Sequence, residues 1–302
     1  VLWYNLAVRT RTHNRGAECE AEDPIDMPDE TAVIRAGFFL GILLLMALWE
    51  AFAPRRGRRR ARGARWTENL GLVLIDALVV RLLLPGAAVS VALLADAHGW
   101  GLLHWHALPE TAAFVLGVVL LDLVVYLQHV MFHAVPVLWR IHMVHHTDVD
   151  FDTTTGVRFH PVEIVLSMLL KMAAVAALGP PAGAVVAFEV LLNATALFNH
   201  GNVRLPARLD RILRAFVVTP EMHRVHHSVI PRETNSNFGF NLPWWDRLFG
   251  TYRAQPAAGH EGMTIGLSQF QDPPPTGLGR LLALPATGAP GAYPLNRGAP
   301  TL

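Results

Sequence analysis

The chain has 302 residues, of which 52% are hydrophobic and only 16% charged, against roughly 25% charged residues in ordinary soluble domains. Apolar content excludes a wholly disordered chain, a single cysteine excludes a disulfide scaffold, and 25 basic against 24 acidic residues exclude a globally basic nucleic-acid binder. Histidine is in excess, with 15 residues, and it is the commonest protein metal ligand. A hydrophobic chain rich in histidine points to a metal site in or beside a membrane.

Residues 1–30 are polar and acidic and lack the basic start and apolar run of a secretory signal, so they read as a loose tail. Residues 31–53 are apolar, long enough to cross a hydrocarbon core of about 30 Å. The run RRGRRRARGAR follows, from Arg55 to Arg65. Arginine clusters bind nucleic acid as well as membranes, but one placed directly after a hydrophobic span reads as a positive-inside anchor touching anionic headgroups. A second span covers about 70–95, interrupted by Asp76 and Arg81, and a third covers about 111–133. Two shorter apolar runs, 164–178 and 182–198, flank the break LGPPAG as a helical hairpin. By length alone, the third span and the hairpin also suit buried helices of a soluble protein. Topology favours the membrane: with the arginines in the cytosol, alternate crossings bring every histidine cluster to the cytosolic side. Residues 271–302 are rich in Pro and Gly and read as a second loose tail.

The expected fold is therefore all-α, a polytopic membrane bundle of four to five hydrophobic helices with a cytosolic helical cap carrying the histidines. Its expected parts are a tail (1–30), N-terminal transmembrane helices with a basic loop (31–110), a catalytic region (111–255) and a C-terminal tail (256–302).

Three clusters carry the chemistry: His129 and His133 in HxxxH, His142, His145 and His146 in HxxHH, and His223, His226 and His227 in a second HxxHH. On a helix, positions i, i+3 and i+4 share one face. Eight converging imidazoles exceed the needs of one four-coordinate zinc. They suit two metal ions, and imidazole suits iron, zinc or copper. His160 and His200 sit at the ends of spans on the same side, each open to reading as a ligand or as a partner orienting one. His13, His98, His104, His106 and His260 lie in the tail and loops and read as ordinary surface residues. Asp122, Tyr126, His129 and His133 form one helical stripe. An Asp inside a span costs roughly 2.5–3.5 kcal/mol unless paired, which favours an inward, site-facing position. Asp122, Asp148, Asp150, Asp152 and Glu163 are the carboxylates able to orient ring N–H groups.

The stretch from about Asp122 to Tyr252 resembles the fatty acid hydroxylase / sterol desaturase superfamily of integral-membrane di-iron enzymes. Beyond the histidines, the likeness rests on the segments Leu138–His142, Thr155–Pro161, Thr219–His223, Glu233–Gly239 and Trp245–Tyr252. The resemblance implies a four-helix transmembrane core, a histidine-rich di-iron centre facing the cytosol, and O2-dependent hydroxylation or desaturation of a lipid such as a sterol or fatty acyl chain. Zinc could substitute for iron. The implied metal set is His129, His133, His142, His145, His146, His160, His200, His223, His226 and His227, with Asp122, Tyr126 and Glu163 around it. Some relatives carry another HxxxH before the last cluster; here Ala196 stands four before His200, and His160 is the residue available to compensate.

The chain shows no GxGxxG after a strand, no CxxC pair and no haem-binding domain, so electrons must come from a separate ferredoxin or b-type cytochrome with its reductase. Other classes fit less well. A zinc hydrolase lacks an HExxH-type base, although Glu221 or Glu163 could serve. A bis-histidine haem carrier needs facing histidines within the spans. A metal transporter needs ligands near the bilayer midplane.

Overall fold

In the computed structural model, residues 27–105 and 108–295 are described; the expected N-terminal tail lies almost wholly outside them. Among the described residues every regular element is a helix, with only two isolated bridges, Pro54 with Val203 and Ser228 with Ile265. In chain order the helices are α1 (Met27–Phe52), α2 (Arg62–Leu83), α3 (Ala87–His98), α4 (Glu110–Ala134), α5 (Pro136–His146), α6 (Pro161–Leu178) and α7 (Ala182–Asn199). Shorter ones follow: α8 (Ala207–Leu213), α9 (Pro220–His226), α10 (Pro231–Thr234), α11 (Trp244–Leu248), α12 (Gly259–Gly262) and α13 (Leu278–Thr287).

Five segments are long and apolar enough to cross a membrane: Val33–Phe52, Arg62–His104, Glu110–Ala134, Pro161–Leu178 and Ala182–Asn199. Their outer faces carry Leu44, Leu45, Leu74, Leu78, Leu82 and Val115, all more than half exposed. Such a continuous apolar exterior belongs in lipid rather than water. Within the bundle, Glu189 of α7 turns inward and pairs with Lys171 of α6 and Arg35 of α1. Between α3, α4, α6 and α7 lies an apolar core that includes Leu121, Val125, Val185 and Phe188. The expected multi-pass helical bundle is the observed one.

Local sequence sets the helix ends. Proline opens α5, α6 and α9, where its missing N–H costs nothing and its fixed φ suits the first turn. Gly179 closes α6 in the left-handed region at φ +65°, and Pro180 and Pro181 lead into α7. A Cβ on Gly101 would lie 2.3 Å from the Gly179 backbone nitrogen, and one on Gly117 2.8 Å from Pro180. Those close approaches gather the end of α3, the start of α4 and the α6–α7 turn at one end of the bundle. At the other end Glu50 of α1 accepts the N–H groups of Thr153 and Asn202, and Arg65 of α2 grips Asp148. All the histidine clusters lie at this second end.

Two expectations are corrected here. The arginine run is largely turned inward instead of toward headgroups. Arg65 is fully buried, Arg60 makes a two-pronged pair with Glu68, Arg55 bonds Glu221 and Glu261, and Arg56 bonds the carbonyl of Met263. The C-terminal segment is no loose tail through residue 295. Its helix α13 and Tyr293 pack into a core with Leu72, Trp139, Met143 and Val144. Leu281 and Leu284, the fourth and seventh residues of α13, supply the apolar face that docks it.

Candidate metal centre

Nine buried histidines meet at the second end of the bundle in two groups. His129, His133, His142, His146 and His226 form one, and His145, His200, His223 and His227 the other; within each group the ligand atoms lie within 4.8 Å of one another. Each HxxHH is divided between them. In α5 the i, i+4 pair His142 and His146 joins the five-histidine group while His145 joins the four. In α9 His223, together with His227 at its C-terminal cap, joins the four while His226 joins the five. Positions i and i+4 stack on one face and i+3 lies at its edge, so two helices crossing beside one another each serve both groups.

Five of the nine rings are aimed by partners on their outer nitrogens. Nδ1 of His129 lies 2.7 Å from the Phe238 carbonyl, Nδ1 of His226 2.8 Å from the Ser236 carbonyl, and Nδ1 of His200 2.8 Å from the Ala196 carbonyl. His133 Nδ1 faces Asn235 Oδ1 at 2.9 Å, and His142 Nδ1 faces Glu163 Oε1 at 2.7 Å. A carbonyl or carboxylate on Nδ1 fixes the tautomer that leaves Nε2 as a lone-pair donor. The Nε2 atoms of His129, His133, His226 and His227 are buried with no hydrogen-bond partner. The other Nε2 atoms crowd together: His142 and His146 at 3.2 Å, His145 and His200 at 3.3 Å, His200 and His223 at 3.1 Å. Buried acceptors with no donor are expensive, and a cation on each group would satisfy them all. The donor set therefore fits two metal ions.

Electrostatics agree. Burial, followed by the neighbouring imidazoles, holds His145, His146, His223, His226 and His227 well below their ordinary pKa. Burial pulls His200 down to about 3. These rings are neutral at physiological pH, the state a metal ligand requires.

A charged frame holds α5 and the following turn against α2. Arg65 bonds both oxygens of Asp148 at 2.8 and 2.6 Å and also pairs with Asp152. Burial alone would raise the Asp148 pKa, but the Arg65 guanidinium holds it well below the carboxylate range. Arg158, also buried, donates to the Val144 carbonyl at 2.9 Å and so caps the C-terminal end of α5 beneath His145 and His146.

The other sequence-singled residues separate. Glu163 touches His142 as expected of an orienting carboxylate. His160 joins neither group: its Nδ1 caps α6 by accepting the Val162 N–H and its Nε2 faces the Leu282 carbonyl at 3.1 Å. Asp122 is inward but meets no histidine; it accepts Trp245 Nε1 at 2.8 Å and the N–H groups of Asn241 and Leu242. Tyr126 bonds Thr251 Oγ1 at 2.9 Å and stacks on Phe249. Both therefore brace the loop whose Phe238 carbonyl aims His129. Asp148 and Asp152 bind Arg65, and Asp150 accepts the N–H groups of Arg59 and Arg60. His260, read as a surface residue, is buried and 2.9 Å from Glu221.

Sequence reasoning did not single out Asn235, Ser236 and Phe238 as orienting groups. Their signal was the polar run Glu233–Asn237 ending in an aromatic, too dense in hydrogen-bonding groups for an ordinary loop. Phenylalanine rings line the remaining walls: Phe159 stacks on His145 at 4.6 Å, Phe240 lies 5.1 Å from His129, and Phe151 lies 5.4 Å from His200.

Fold and site together define a polytopic helical bundle of the membrane type, built around two all-histidine groups that could each hold a metal ion. The chain belongs to the fatty acid hydroxylase superfamily: the fatty acid hydroxylase family model matches residues 114–251, the stretch that contains all nine histidines and the loop that aims His129, His133 and His226. It is 30% identical over 235 residues to ornithine lipid hydroxylase OlsE of Rhizobium tropici, covering 72% of this chain and 66% of that protein. Against alkylglycerol monooxygenase of Xenopus tropicalis it is 27% identical over 82% of this chain and 52% of the relative. The human alkylglycerol monooxygenase is 25% identical over 48% of this chain and 32% of its own length. The chain thus spans about two thirds of the first relative and about half or less of the others. No solved structure matches.

Proposed function

We propose that the protein is a membrane-bound di-iron oxygenase that hydroxylates a lipid with a polar head and a long apolar chain. The observation that carries this reading is the pair of neighbouring, buried, all-imidazole groups of five and four histidines. Zinc in structural sites is satisfied by four ligands, so a five-histidine group beside a four-histidine one is more than zinc needs. Iron bound there would supply the redox chemistry that activation of O2 against an unactivated C–H bond demands.

The chain's own residues provide the rest. Phe238, Asn235, Ser236 and Glu163 fix the ring orientations of His129, His133, His226 and His142 before any substrate arrives. Phe159 and Phe240 exclude water and connect the histidines to the apolar core between α3, α4, α6 and α7. That continuity supports a substrate whose chain approaches from the membrane side. The relatives' names, an ornithine lipid hydroxylase and alkylglycerol monooxygenases, support hydroxylation over desaturation and an amphiphilic lipid over a sterol. Electrons come from a separate ferredoxin or b-type cytochrome. The histidine end faces the cytosol, a reading supported by the arginine-rich segment at that same end.

The zinc-hydrolase alternative finds little support, because its candidate bases are engaged. Glu163 is bound to His142, and Glu221 pairs with Arg55, Arg224 and His260. Haem ligation is equally poorly supported, since donors crowded within 4.8 Å leave no flat space for a macrocycle.

Comparative lipidomics of cells expressing the wild type and His146→Ala under labelled O2 tests the proposal. One lipid class gaining a single labelled oxygen only with the wild type supports it. Identical lipid profiles would overturn it.

A further inference from the structure

Six aromatic side chains press on the histidine rings: Phe132, Trp139, Phe151, Phe159, Phe238 and Phe240. Five are phenylalanines, which resist oxidation. Among the described residues Trp139 is the one easily oxidised ring in contact with the histidines. It touches only the five-histidine group, with its centroid 4.9 Å from His133, 5.4 Å from His146 and 6.2 Å from His142.

Trp139 is itself fully buried and stacks on a second oxidisable ring, Tyr293, at 5.6 Å and 24°. Its indole N–H donates to the Pro290 carbonyl at 2.8 Å. Tyr293 is also fully buried, but its hydroxyl reaches outward. It donates to the Val229 carbonyl at 2.9 Å and lies 3.2 Å from Ser268 Oγ, a residue exposed to solvent. The tyrosine is fastened at this place: Asn235, which aims His133, also donates to the Tyr293 carbonyl at 2.7 Å, and Leu295 N–H donates to the His133 carbonyl at 2.9 Å. The C-terminal segment thus brings a tyrosine into line behind the tryptophan, and the line runs from metal ligands to water.

We propose that Trp139 and Tyr293 form a one-electron relay that drains misdirected oxidising equivalents from the five-histidine group and so protects its ligands. The proposal rests on the oxygenase reading above. With oxidised iron held at that group and no C–H bond in place, Trp139 would give up one electron to it and take one from Tyr293. The phenol O–H bond of Tyr293 breaks, its proton leaves by way of Ser268 Oγ to water, and a neutral phenoxyl radical remains. A thiol-class reductant restores the phenol by donating a hydrogen atom, and two thiyl radicals couple to a disulfide.

The test uses the full chain in nanodiscs, loaded with Fe(II), exposed to O2 without lipid substrate or thiol, and mapped by peptide mass spectrometry with freeze-quench EPR. In the wild type, oxidation concentrates on Trp139 and Tyr293, and ring-deuterated tyrosine alters the radical signal. In Trp139→Phe the tyrosyl signal is lost and oxidation of His133, His142 and His146 rises several-fold. Tyr293→Phe, which keeps the stacked ring, leaves the oxidation on Trp139. Iron-loaded Trp139→Phe with wild-type histidine oxidation and an unchanged radical would overturn the relay alone. Wild-type protein that binds no iron, or binds it and consumes no O2, would overturn the oxygenase reading and the relay with it.

Discussion

Glu163 in the first turn of α6 holds the Nδ1 nitrogen of His142 in α5 at 2.7 Å, and both side chains are buried. Glu163→Ala removes the group that sets the His142 tautomer. Metal affinity of the five-histidine group should fall about 10- to 100-fold, whereas Glu163→Gln, which keeps an acceptor oxygen, should lose much less. Metal retained after dialysis against graded chelator measures both; equal retention in wild type and Glu163→Ala would refute the orienting role.

Arg65 is the common partner of Asp148 and Asp152, all three buried. Removing one member of a buried pair strands the others, typically at a cost of about 3–5 kcal/mol. Arg65→Met should lower the melting temperature markedly in detergent, and Arg65→Lys should rescue only part of the loss because an ammonium cannot make the two-pronged contact with Asp148. An unchanged melting temperature in Arg65→Met would contradict the frame's role.

Stability should depend steeply on pH on the acid side. His145, His146, His223, His226 and His227 have folded pKa values well below 6.5, and His200 about 3. Between those values and 6.5 the unfolded chain binds protons that the folded chain does not. Stability is therefore fully present above pH 6.5 and is lost as pH falls, by about 1.4 kcal/mol per pH unit for each such histidine. A melting temperature level above pH 7 and dropping sharply between pH 6 and 5 is expected of the metal-free protein. A flat profile across that range would show that the rings are not buried neutral.

Much of the site was legible because helical spacing is legible: HxxxH and two HxxHH runs must each gather imidazoles on one helix surface. Their division between two groups was not, since which of His145 or His146 faces which partner depends on how α5 crosses α9. His200 and His160 show the same limit. Both stand at span ends, yet only His200 is turned inward by the last turn of α7, while His160 is spent capping α6. The spans were readable from apolar runs. The packing of α13 was hidden by its Gly- and Pro-rich surroundings, and the arginine run's inward pairing by carboxylates up to 206 residues away.

Asp122 acts on the site at one remove. Asp122→Ala leaves the Trp245 indole and the N–H groups of Asn241 and Leu242 without their acceptor, a loss of about 1–3 kcal/mol. The loosened loop should weaken metal binding at the five-histidine group, through Phe238 and His129, and spare the other. Metal titration of this variant checks it; equal weakening of both groups would contradict the assignment.

Iron content per chain tests the central claim most directly, measured on purified wild type, His226→Ala and His227→Ala. These neighbours in sequence belong to different groups. The account predicts two iron ions per wild-type chain, one for each group, and the loss of about one from each variant. A single ion in the wild type, or full iron retention in both variants, would contradict it.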